Sequence, residues 1–237
     1  MVALIEIKNL NVKYAPGEPN AVNGISLTIG DGEKVALFGD NGAGKTTLLL
    51  AIIGILPPSE GEIFVGGLTV DKKNLPLVRK YIGFVFQNPD DQLFMPTVAE
   101  DIAFGMKNLG EAQADIAGKC ALIMEELGIT ALRDSPVHKL SGGEKRMAAL
   151  AGVLVMSPKI ILLDEPTSFL DMKARRRLEN HLRSLSQSMV ITTHDLCFAY
   201  KTCSRAVFLR SGRIAADCPI AELPQRHELL AEFGFEE

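Results

Sequence analysis

The run Gly39-Asp40-Asn41-Gly42-Ala43-Gly44-Lys45-Thr46 carries the densest chemistry in the sequence. It matches the spacing G-x-x-x-x-G-K-[ST], in which glycines let the backbone wrap an anion with its N–H groups turned inward. The run follows the apolar stretch Lys34–Phe38 and leads into a helical one. Its N–H groups therefore sit at a helix N-terminus, where partial positive charge favours phosphate. Lys45 is the residue to reach β- and γ-phosphates, and Thr46 the one to hold Mg²⁺ through its hydroxyl, with Thr47 next in the same helix. A second group is Asp164-Glu165, which ends the apolar run Ile160–Leu163. Ligands of open α/β sheets bind at such C-terminal strand ends. Asp164 suits the anchoring of hydrated Mg²⁺, and Glu165, pointing differently, suits the polarisation of an attacking water. A strand ending in two acids is weak evidence alone and becomes strong beside a phosphate loop.

A third group, Leu140-Ser141-Gly142-Gly143-Glu144, lies between the first two. Ser141-x-x-Glu144 reads as a capping box that opens a helix running to Met156. Two glycines in a first helical turn are costly. They make sense where the backbone must approach something closely, and a helix N-terminus with a serine hydroxyl is again an anion site.

The elements that must position these residues follow from the apolar pattern. Strands are expected at Val2–Lys8, Ile25–Ile29, Lys34–Phe38, Glu62–Val65 and Tyr81–Phe86. A helix is expected over Lys45–Ile53, stopped by Gly54 and Pro57-Pro58. Three helices then come in succession, at Val98–Leu109, Ala112–Leu127 and Glu144–Met156, the first opened by Thr97-x-x-Glu100. Alternation resumes with strands at Ile160–Leu163, Met189–Thr193 and Ala206–Leu209 and a helix at Lys173–Ser184. Such alternation implies a parallel sheet wrapped by helices, with the helical stretch of about 88–158 inserted into an α/β core. The run Arg175–Arg177 reads as a solvated helix face.

The chain has 237 residues, 47% hydrophobic and 23% charged, with a net charge of −4. That is the balance of a folded globular chain, and the acidic sign argues against nucleic acid as a main partner. Its longest apolar runs, Leu48–Leu56 and Met147–Met156, are too short to cross a bilayer, and no signal peptide is expected. Cys120, Cys197, Cys203 and Cys218 form no C-x-x-C pair, and the expectation is reduced thiols. His194 with Cys197 and Cys203 lacks a fourth zinc ligand at ordinary spacing.

With these motifs in this order, the sequence resembles the ATP-binding-cassette (ABC) ATPases over essentially its whole length. Leu140–Glu144 resembles the family signature. The resemblance implies a P-loop NTPase fold of class α/β with an antiparallel β subdomain and a helical insertion, one domain over residues 1–237. It also implies ATP and Mg²⁺, with Gln87 touching Mg²⁺ or the attacking water and His194 contacting the γ-phosphate. Tyr14 would stack on adenine, Ser168–Asp171 would form the D-loop, and Ser141, Gly142 and Gly143 would bind nucleotide held mostly by a second subunit in a head-to-tail dimer, expected to be a homodimer. Two positions depart from the family: Phe169 stands where a small residue is usual, and Met147, beside Arg146, where arginine is frequent. The C-terminal segment Ala221–Glu237 is shorter than the dimer-holding tails of some members.

The segment from Asn88 to Gly105 is similar to the ATPase subunits of energy-coupling-factor importers, above all the cobalt type. It implies a peripheral subunit at the cytoplasmic face of the cell membrane. Membrane-spanning subunits would dock near Leu93, Phe94 and Met95, and those subunits would carry cobalt or nickel. Vitamin import by the same engine is the alternative. A soluble ABC ATPase of translation or DNA maintenance usually shows paired cassettes, coiled coils or basic patches. A P-loop kinase lacks the signature, and a GTPase needs an N-K-x-D guanine reader, which the sequence does not contain.

Overall fold

The computed structural model describes residues 3–235, so Val2, the expected start of the first strand, and Glu236 and Glu237 lie outside the described residues. Two sheets form. The first is antiparallel, in the order β2-β1-β4-β5, from β1 (Ala3–Val12), β2 (Val22–Gly30), β4 (Glu60–Val65) and β5 (Leu68–Thr69). The second has the order β10-β9-β3-β8-β7-β6, from β3 (Lys34–Gly39), β6 (Ile82–Val85), β7 (Ile160–Leu163), β8 (Ser188–Thr192), β9 (Arg205–Arg210) and β10 (Arg213–Pro219). The five strands from β9 to β6 pair in parallel, and β10 is an antiparallel edge.

Alternation within the parallel strands sorts side chains onto two faces. Val35, Leu37, Ile160 and Leu162 join the core beneath the antiparallel sheet and α1 (Lys45–Ile52). Ala36, Phe38, Ile161 and Leu163 join the core beneath the helices of the other side. Burial on both faces explains why these strands read as unbroken apolar runs. The second face carries the insertion between β6 and β7, made of α3 (Val98–Asn108), α4 (Gln113–Glu126) and α5 (Gly142–Leu154), followed by α6 (Met172–Ser184) and α7 (Leu196–Thr202). The chain closes with α8 (His227–Glu232). The Phe233 ring packs on Phe208 at 4.9 Å, and Phe235 packs edge-on against Phe38 at 5.4 Å.

Several expectations need correction. Tyr81 ends a helix, α2 (Leu75–Tyr81), and the strand starts one residue later. The Asn74 and Pro76 signals that open this helix are also ordinary turn chemistry, so they do not mark a helix by themselves. The arginine run is not a free solvated face. Arg175 pairs with Asp195, and Arg177 donates to the Leu127 and Gly128 carbonyls that end α4. The apolar trio Leu93–Met95 divides, because Leu93 is 6% exposed and belongs to the core, while Phe94 is 62% exposed. Among the described residues, no helix is long and apolar enough to cross a membrane.

Candidate functional site

The phosphate loop is built where β3 meets α1. Gly44, the N-cap of α1, has φ 101°, and a Cβ there would lie 2.3 Å from the Ala21 carbonyl oxygen. Only glycine fits both the left-handed backbone and the close approach. Gly39 and Ala43 are buried beneath the loop, whereas Asp40, Asn41, Gly42, Gly44, Lys45, Thr46 and Thr47 line a cleft of about 310 Å³. Lys45 is 8% exposed, and its Nζ donates to the Gly39 carbonyl at 2.6 Å and the Asp40 carbonyl at 3.2 Å. Burial lowers its pKa, opposed by the nearby carboxylates of Glu165, Asp164 and Asp40.

Across the cleft, the ends of β7 and β8 bring up the acids. Thr46 Oγ1 donates to Asp164 Oδ2 at 2.9 Å. Thr192 Oγ1, fully buried, donates to Asp164 Oδ1 at 2.6 Å and accepts from the Glu165 N–H at 2.8 Å. Glu165 itself has φ 43°, and its Oε1 lies 2.9 Å from His194 Nε2 without the alignment of a hydrogen bond, so this buried oxygen has no hydrogen-bond partner. Burial raises the Glu165 pKa, while His194 and Lys45 oppose the shift. Gln87 and Tyr14 complete the lining, and the Tyr14 hydroxyl hydrogen-bonds Thr47 Oγ1 at 2.8 Å.

The donor set fits Mg²⁺. A hydroxyl (Thr46) and a carboxylate (Asp164) already share one contact, and Mg²⁺ is commonly held by one or two protein oxygens with phosphates and waters completing the octahedron. Glu165, whose Oε1 is left without a hydrogen bond, lines the same cleft.

Ser141, Gly142 and Gly143 are not in this cleft. They line a separate concavity of about 340 Å³ with Phe169, Asp171 and Arg177. The capping box forms: Glu144 Oε2 accepts the Ser141 N–H at 2.8 Å and its hydroxyl at 2.7 Å. The hydroxyl bond is the main reason the Glu144 carboxyl titrates low. Phe169, at the edge of this concavity, has φ 63° and is 88% exposed.

Thr192 is the site residue that sequence reasoning missed. A threonine in a strand is ordinary, and the only signal for it is its place two residues before His194 in the Thr192-Thr193-His194 run.

Comparison with known proteins agrees with this geometry. The ABC transporter family model matches residues 22–168. The energy-coupling factor transporter ATP-binding protein EcfA of Methanothermobacter thermautotrophicus is 40% identical over 96% of this chain and 74% of its own length. Among solved structures, cbiO1 of Clostridium perfringens, part of the ABC transporter complex cbiONQ, superposes with a TM-score of 0.84 at 33% identity, covering 97% of this chain and 94% of its own. A dimeric ATP-binding cassette in a post-hydrolysis state bound to ADP and Pi superposes with a TM-score of 0.82 at 26% identity, over 91% of this chain and 98% of its own. A phosphate loop facing two acids at the ends of parallel strands, with a separate capped helix terminus at Ser141–Gly143 on the same chain, is thus found in a chain that belongs to the ABC transporter family as an ATP-hydrolysing cassette.

Proposed function

We propose that this cassette is the ATPase subunit of an energy-coupling-factor importer, with cobalt or nickel as the cargo of its membrane partners. The observation that carries the reading is an aromatic pad just beyond Gln87. The Phe94 ring stands exposed and edge-on to Phe104 at 4.7 Å. Its position is fixed from below, because buried Asp101 Oδ2 accepts the N–H groups of Phe94 and Met95, each at 2.8 Å. An exposed apolar surface held this rigidly suits a docked helix from a membrane subunit. It would place the chain at the cytoplasmic face of the membrane. The likeness to EcfA and to cbiO1 supports the same reading.

Within the site, Lys45 and the loop N–H groups bind the phosphates, and Tyr14 stacks on adenine. Thr46, Asp164 and Gln87 hold Mg²⁺, which when bound offsets phosphate charge. Glu165 takes a proton from the attacking water, and the burial that raises its pKa makes its carboxylate a stronger base. His194 orients Glu165 and meets the γ-phosphate. Ser141, Gly142 and Gly143 serve the nucleotide of a second, identical cassette placed head to tail. The whole chain acts as one ABC domain.

The test is assembly and uptake. The chain is co-expressed with its membrane subunits, and uptake of cobalt, nickel and vitamins is measured for wild type and Phe94→Glu. We expect Phe94→Glu to keep ATP binding and to lose both co-purification with the membrane subunits and uptake. A Phe94→Glu complex that assembles and transports at the wild-type rate would remove the pad from the interface. Uptake of a vitamin alone would replace the metal cargo.

A further inference from the structure

Arg146 is a buried charge that the site described above leaves unexplained. It lies in the first half of α5, is 1% exposed, and is the largest fully buried side chain. Among the described residues no carboxylate pairs with it. Its Nη1 donates to the Phe86 carbonyl and its Nη2 to the Gln87 carbonyl, each at 2.5 Å, and its Nε has no partner. Burial lowers its pKa to about 10, against the attraction of Asp164. A guanidinium without a counter-ion is an expensive way to fill space. Met147 beside it shows that an apolar side chain is accepted on the same helix turn, since it is 2% exposed.

What the guanidinium holds is the backbone at Gln87. Around it α5 makes two more ties to the same segment. Lys145 pairs with Asp90 at 2.5 Å, and Gln92 donates to the Ala149 carbonyl at 2.9 Å while its Oε1 accepts the Phe86 N–H at 3.3 Å. Only the Arg146 fork grips the residue whose side chain reaches the cleft. The same helix begins about one turn before Arg146, at the Ser141–Gly143 terminus. One rigid element thus joins the concavity that faces a second cassette to the residue that faces this chain's own nucleotide.

We propose that Arg146 is a positioning residue for ATP hydrolysis: its two hydrogen bonds fasten the Gln87 backbone to α5, so that Gln87 takes its working place only when the Ser141–Gly143 end of that helix is correctly seated. This rests on the reading of Gln87 as a group that meets Mg²⁺ or water. The fork geometry matters, because two parallel donors fix a carbonyl pair in orientation as a single point donor does not.

A double-mutant cycle on the full-length chain tests both layers. Arg146→Met, close in volume and uncharged, should lower kcat about 10- to 100-fold, the size expected for a catalytic group displaced by about an ångström. KM for ATP should change by less than about threefold, because the phosphate loop is untouched. Gln87→Ala should lower kcat in its own right. In the Gln87→Ala background, Arg146→Met should cost nothing further in kcat. The same factor lost in both backgrounds, or a rise in KM with kcat intact, overturns the positioning role. A Gln87→Ala chain with normal kcat instead overturns the reading of Gln87 on which the proposal rests. Thermal unfolding accompanies every variant. Should Arg146→Met not fold, Arg146→Lys carries the same cycle: it keeps the charge, loses the fork, and should show a smaller kcat loss that again vanishes without Gln87.

Discussion

Glu165 occupies the left-handed backbone region with φ 43°, where a side chain other than glycine is strained. Such a residue persists only if its surroundings over-determine it, and here the determinant is Thr192. One hydroxyl satisfies the Glu165 N–H and one Asp164 oxygen together, so it sets the angle between the two acids. Thr192→Val keeps the shape and leaves both partners buried and unsatisfied, at about 1–3 kcal/mol for each such group. We expect a lower melting temperature, by about 2–4 °C for each kcal/mol lost in a chain of this size. We also expect a clear fall in kcat with little change in KM, and Thr192→Ser should restore both. Differential scanning fluorimetry and steady-state ATPase assays measure the two effects. Unchanged turnover in Thr192→Val would mean that the acids hold themselves. At this scale the sequence is legible where residue type is tied to covalent necessity. Gly44 and Lys45 stand out by spacing alone, and Asp164 once the phosphate loop is recognised. Thr192 and Arg146 do not, because their roles depend on which carbonyl or carboxylate the fold brings within reach.

Among elements, the junction between β6 and α3 decides how the nucleotide face connects to the exposed pad. Asp101, in the first turn of α3, is placed well for a helix N-terminus, and it spends its charge on the Phe94 and Met95 N–H groups. Burial raises its pKa, and those two hydrogen bonds only partly offset the shift. A carboxyl with a raised folded pKa favours folding while protonated, and that contribution is lost as pH rises from the ordinary carboxylate value through the folded one. Asp101→Asn keeps an oxygen that can accept both bonds and removes the charge. Its melting temperature relative to wild type should therefore climb as pH is raised through that window. Asp101→Ala removes the acceptor at every pH, which should cost about 1–3 kcal/mol and free the Phe94 loop. Melting curves from pH 4 to 7 distinguish them, and a flat difference between Asn and Asp would sink the assignment. The long helices and the central strands were readable because their apolar periods are strong, and their ends differ by only a residue or two. The short α2 and β10 were not readable. Seven residues carry too few periods to separate a helix from a turn, and an edge strand needs only a neighbour to pair with. Leu93 shows a similar limit: three adjacent apolar residues do not reveal which of them faces inward.

Two concavities that share no residue flank the chain, one around Lys45 and one around Ser141–Gly143. The order of motifs leads one to expect both. It does not show that they are separate concavities, because that follows from α5 standing on the helical face of the parallel sheet, while the loop closes its end. If each surface is half of a site, occupancy of one and assembly through the other can be uncoupled by mutation. Gly142 is the position to use. A Cβ there would meet nothing nearer than the Phe169 carbonyl oxygen at 3.8 Å, whereas at Gly143 it would come within 2.8 Å of Ala174 Cβ. An acid in the first turn of α5 also favours that helix, so Gly142→Asp should fold at least as stably as wild type. Its charge would nevertheless oppose a phosphate brought by a second cassette. Glu165→Gln should bind ATP, nearly stop turning over, and accumulate as an ATP-bound dimer by light scattering. Adding Gly142→Asp to it should return the chain to monomer while one ATP still binds for each chain. A dimer that survives Gly142→Asp would mean that the cassettes meet through a surface other than the α5 terminus, with Phe169 and Met172, both strongly exposed beside it, as the next residues to change.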